Sequence, residues 1–121
     1  MKVLDASDPM SDHISLTFPT ATHLRGVATL VLGGIGSRLD LPYERVDDLQ
    51  LAVLSVLEAS GDERVTVEVD AEEDGVLVSV GPLADGSQTD GALARVLDPL
   101  VDSFESSERD ARVWLTLRLR R

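Results

Sequence analysis

The sequence predicts an α/β domain of the α+β kind: a two-layer sandwich with a four-stranded mixed sheet and three helices on one face, in the order β-α-α-β-β-α-β. Three observations predict it. Apolar and polar residues alternate in four short stretches, the period of half-buried strands. Apolar residues recur at three- and four-residue spacing in three longer stretches, the period of helices packed on one side. The chain has 121 residues, 43% hydrophobic and 3% aromatic, which supplies one aliphatic core and no second one.

The elements follow in order. Residues 1–12 are polar, interrupted by Pro9, and read as a flexible leader ahead of a single domain over 13–121. Ile14, Leu16 and Phe18 share one face of a short strand that Pro19 ends. Thr20 and Thr22 are candidate caps of a helix whose stripe is Leu24, Val27, Ala28, Val31, Leu32 and Ile35. Its glycines, Gly26, Gly33, Gly34 and Gly36, weaken it by about 1 kcal/mol each in a helix interior and let it lie close to a neighbour. Residues 40–42 turn into a second helix with Glu44, Asp47 and Asp48 toward its start, where the helix dipole favours negative charge. Its stripe is Val46, Leu49, Val53, Val56 and Leu57; Leu51, Ala52 and Leu54 broaden it, so its later part is expected to be buried on most sides, and Gly61-Asp62 stops it.

Val65, Val67 and Val69, then Val76, Val78 and Val80, alternate on either side of an acidic turn and predict a β-hairpin. Residues 81–90 read as loop. Leu93, Val96, Leu97, Leu100, Val101 and Phe104 predict a third helix over 92–104, kinked or interrupted at Pro99, and 105–110 a charged turn. Val113, Leu115, Leu117 and Leu119 alternate in a closing strand, expected at the sheet edge, with Trp114 on its other face.

Charge narrows the function. Eleven Lys and Arg stand against 22 Asp and Glu, a net charge of -11 that repels nucleic-acid backbones and anionic lipid. Arg109, Arg112, Arg118, Arg120 and Arg121 cluster at the C-terminal end, but no aromatic platform adjoins them as single-stranded nucleic acid would need. No cysteine is present, which removes disulfides and thiolate-bound zinc and fits the cytoplasm. The most apolar stretch, 27–35, is too short to span a bilayer.

Chemistry is sparse. His13 and His23 stand alone, without the partners of a metal site or a nucleophilic triad. The glycines near residue 33 lack the lysine and spacing of a phosphate loop. Asp70, Glu72, Glu73 and Asp74 form an acidic turn and Asp85-Gly86 a further turn. No metal site is expected.

The order of elements, with the strand before Pro19, the turn Leu39-Asp40-Leu41-Pro42, the helix segment Asp48-Leu49-Gln50-Leu51-Ala52-Val53, Gly91, and Leu100-Val101-Asp102 before the last strand, resembles the bacterial anti-sigma-factor serine kinases of the RsbW and SpoIIAB type. These belong to the histidine kinase, gyrase B and Hsp90-like (GHKL) ATPase fold, and the resemblance runs from about Ile14 to Leu119. It implies a nucleotide site, and at its positions this chain departs from the pattern. Ser55 stands where the family has its catalytic glutamate, and serine cannot take a proton as a carboxylate would. Ala59 stands where an asparagine ligates magnesium. Gly81 replaces the aspartate that receives the adenine amino group, and Leu83 the glycine two residues later. Gly91 matches one glycine of the lid and Leu93 replaces the next.

The expectation is therefore an inactive, anti-sigma-factor-like regulator of transcription that binds protein, with no catalytic residue, no cofactor and no metal. Leu83 and Leu93 would fill nucleotide space. Its partner would be a sigma factor or an anti-sigma antagonist, with a homodimer as one form, and neither nucleic acid nor membrane. The alternative is an ATP- and magnesium-dependent serine protein kinase in which Glu58 and Asp85 act as displaced substitutes for Ser55 and Gly81.

Overall fold

A computed structural model describes residues 13–19, 25–59, 64–83 and 91–121. The elements are β1 (His13–Pro19), α1 (Arg25–Arg38), α2 (Tyr43–Ala59), β2 (Arg64–Glu72), β3 (Gly75–Leu83), α3 (Gly91–Leu97), β4 (Ser103–Arg109) and β5 (Arg112–Arg120). The leader, Thr20, Thr22, His23, Leu24, the stop at Gly61-Asp62 and the Asp85-Gly86 turn lie outside the described residues.

The sheet has five strands in the order β1-β2-β3-β5-β4, and every pairing is antiparallel. The expected four-stranded mixed sheet is thus incorrect in both count and direction. The additional strand is β4, where the residue pattern predicts the end of a helix and a charged turn. Pro99 has no N–H to give and ends α3 at Leu97. The Leu100 and Val101 amides turn back onto the Leu97 carbonyl, at 2.9 and 3.1 Å. The Asp102 amide then donates to the Arg118 carbonyl at 2.9 Å and starts the pairing with β5. β4 has the sequence SFESSER and is exposed at every position except Phe104. A strand at the sheet edge, beyond the helix layer, has little to bury and so shows no alternation. The closing strand β5 is consequently interior, between β3 and β4, rather than the expected edge.

Register puts the alternating residues in rows. Ile14 lies opposite Val69, Val69 opposite Val78, Val78 opposite Leu117, and Leu117 opposite Phe104. The next row is Leu16, Val67, Val80 and Leu115. Against these rows pack Ala28, Leu32 and Ile35 of α1, Leu49, Ala52, Val53 and Val56 of α2, and Leu93 and Leu97 of α3. Burying aliphatic side chains at roughly 1.5–3 kcal/mol each is the main force on this layer.

α1 and α2 form an antiparallel pair joined through Leu39 to Pro42. A Cβ at Gly36 would stand 2.8 Å from a Val46 methyl, and one at Gly33 would stand 2.9 Å from the Gln50 amide nitrogen. The close approach expected of the glycines is therefore realised against α2, and Gln50 Nε2 donates to the Thr29 carbonyl at 2.8 Å across it.

Candidate functional site

Ser55 sits on the flank of α2, and its Oγ donates to the Leu51 carbonyl at 2.7 Å. Its hydroxyl is thus spent on its own helix. Ala59, one turn on, packs against the core. Glu58 is exposed, about a sixth of a turn around the helix from Ser55 toward solvent. Asp85, the other displaced candidate, lies outside the described residues.

The residues that follow on β3 divide between the two faces of the sheet. Gly81 lies opposite Thr66 on the face away from the helices, buried beneath the only tryptophan, Trp114. A Cβ there would come within 2.5 Å of the indole ring. The register with β5 then shifts by one residue between Val80 and Leu83. Such a bulge turns the chain over, so Leu83 points into the helix layer at 1% exposure. Leu93, at 9%, enters the same core from α3, whereas Gly91 at the helix start is exposed with open space around it. The structure thus places Ser55, Ala59, Leu83 and Leu93 on the helix side of the sheet and sends Gly81 to the other.

Several charged residues are paired across the sheet. His13 Nδ1 contacts Asp70. Arg118 meets Glu72 at 2.6 Å and Arg109 meets Glu68 at 2.8 Å, with the Arg109 guanidinium 4.2 Å above the Trp114 ring. The acidic turn and the basic C-terminal end therefore face each other. Glu72, Glu73 and Asp74 line an open polar groove of about 680 Å³ with Arg118, Arg120 and Arg121. The Arg121 amide donates to the Asp74 carbonyl at 2.8 Å. Among the described residues, no group of three or more His, Asp or Glu side chains is placed to hold a metal ion. None of the described helices is long and apolar enough to cross a membrane.

One surface was missed in the sequence. The later part of α2 is covered on most sides, as expected, but Leu51, expected to broaden its buried stripe, is 54% exposed. Val27, expected in the buried stripe of α1, is 40% exposed, and Leu30 and Tyr43 stand out at 78% and 82%. The signal was present in Leu30, which fits neither the buried stripe nor a polar outer face. The outer side of the α1–α2 pair thus carries apolar side chains, with Glu44, Asp47 and Glu58 on the same side of α2. No family model matches the chain, and no curated protein matches it.

Proposed function

We propose that this chain is a regulatory module that works by binding protein and carries out no phosphoryl transfer. The scaffold it resembles is that of the anti-sigma-factor serine kinases. The observation that carries the reading is the burial of Leu83 and Leu93 in the aliphatic core, at positions where the resemblance calls for glycines of a nucleotide site. Ser55 supports it, since a hydroxyl bonded to its own helix is no general base. Ala59 supports it by offering no oxygen to a metal ion. The partner is a protein, a sigma factor or an anti-sigma antagonist, met in the bacterial cytoplasm, and the chain can act as a homodimer. A net charge of -11 argues against nucleic acid as the ligand.

Two measurements test this. Calorimetric titration of the purified chain with ATP and magnesium, at protein concentrations high enough to see weak binding, should give no heat of binding. Affinity capture from a native bacterial extract should retain the same protein partner with and without ATP. Magnesium-dependent ATP binding would return the reading to the kinase with Glu58 and Asp85 as substitutes. Retention of no protein under either condition would sink the binding function itself.

A further inference from the structure

The outer surface of the α1–α2 pair carries the exposed apolar side chains Leu30, Tyr43 and Leu51. The contacts of Gly36 with Val46 and of Gly33 and Thr29 with Gln50 fix the height of one helix against the other. By that register Leu30 stands level with Leu51 and Leu54. On α2, Tyr43, Asp47, Leu51 and Glu58 recur at four- and seven-residue spacing, turned away from Leu49, Ala52, Val53 and Val56, which fill the core. The crests of two antiparallel helices leave a shallow groove between them, and ridges at this spacing interlock with those of another helix.

The charge beside the groove selects the occupant. Glu44, Asp47 and Glu58 are exposed on α2, whose only basic residue, Arg45, contacts Asp48 and reaches Asp102 at 3.4 Å on another flank. We infer that this surface docks an amphipathic helix of a partner protein, with an apolar stripe flanked by lysine or arginine. A second copy of the chain does not fit this groove, because it would bring the same carboxylates against one another. The chain's own remaining segments do not fit either: residues 1–12, 20–24, 60–63 and 84–90 hold a single lysine, Lys2, and no arginine. Anionic lipid is repelled by the same carboxylates. The inference rests on the protein-binding reading and names the chemistry of the partner.

The test uses the full chain and three helical probe peptides: one with leucine and lysine in amphipathic order, its scrambled isomer, and a leucine and glutamate counterpart. Fluorescence anisotropy should show binding of the first, weakened by added salt, and at least about tenfold weaker binding of the other two. Leu30→Ser and Leu51→Ser should each weaken the first peptide by about fivefold or more, and Asp47→Lys should weaken it and flatten its salt dependence. Glu105→Lys, on exposed β4 far from the groove, should leave it unchanged. Equal binding of the scrambled peptide, loss with Glu105→Lys as large as with Asp47→Lys, or indifference to Leu30 and Leu51 would overturn the inference. So would a wild-type dimer in sedimentation that Leu30→Ser and Leu51→Ser convert to monomer, since that would seat a second copy on this face. A partner still captured from extract alongside a failed peptide panel would refute this surface and leave the protein-binding reading standing.

Discussion

Ala111→Gly tests the strand pair that the hydrophobic pattern conceals. Arg109 pairs with Arg112, so only Asp110 and Ala111 join β4 to β5. Their φ angles are 52° and 64°, both left-handed, as a two-residue hairpin of this twist requires. An alanine Cβ in that region crowds the following carbonyl at a cost of about 1–2 kcal/mol. Glycine escapes this but loses more backbone freedom on folding, about 0.5–1 kcal/mol. The difference is a gain of about 0.5–1 kcal/mol for Ala111→Gly, or roughly 2–5 °C in Tm for a chain of this size. Urea unfolding should show a higher midpoint at unchanged slope, and scanning calorimetry the matching rise. Ala111→Val should lose stability, because a β-branched residue tolerates positive φ least. Asp110→Gly should change less than Ala111→Gly, since aspartate already visits this region. A neutral or destabilising Ala111→Gly, together with an Ala111→Val as stable as the parent, would refute the hairpin and the placement of β4 with it.

Two further substitutions probe the faces of β3. Gly81→Ala drives a methyl into Trp114, so it should destabilise by about 1–3 kcal/mol and shift the emission of the one tryptophan; unchanged emission and stability would mean that the ring does not lie on Gly81. Leu83→Ala should lose about 2–5 kcal/mol in chemical denaturation by opening a cavity in the core, and a loss below about 1 kcal/mol would show Leu83 to be solvent-facing rather than a core residue.

What the sequence made legible follows from which faces are covered. Val65, Val67 and Val69, Val76, Val78 and Val80, and Leu115, Leu117 and Leu119 are each covered on one side, and their alternation announces them. β4 is covered on neither side apart from Phe104, so no period marks it. The pattern Leu100, Val101 and Phe104 mimicked a helix, because Val101 and Phe104 reach the core from a turn and an edge strand rather than from one helix face. On α2, hydrophobic residues on several sides look the same whether the outer side meets protein or water, and only the fold shows that Leu51 meets water. The positions Ser55, Ala59, Leu83 and Leu93 were placed through a resemblance. That Gly81 and Leu83 face opposite sides depends on a one-residue bulge, which leaves no mark in composition.

The interior position of β5 governs the order in which the sheet can assemble. β1, β2 and β3 can pair with one another as soon as Leu83 has been made. β4 has no neighbour until Arg112 to Arg120 has also been made, since β5 is its only partner and also the second partner of β3. Until then β3 presents an open edge, with Val76, Val78 and Val80 beside it unpaired on that side. An incomplete or frayed β4–β5 hairpin therefore leaves a long aliphatic strand edge able to pair with another chain. The two residues of the Asp110–Ala111 turn thus bear on solubility during folding as well as on final stability.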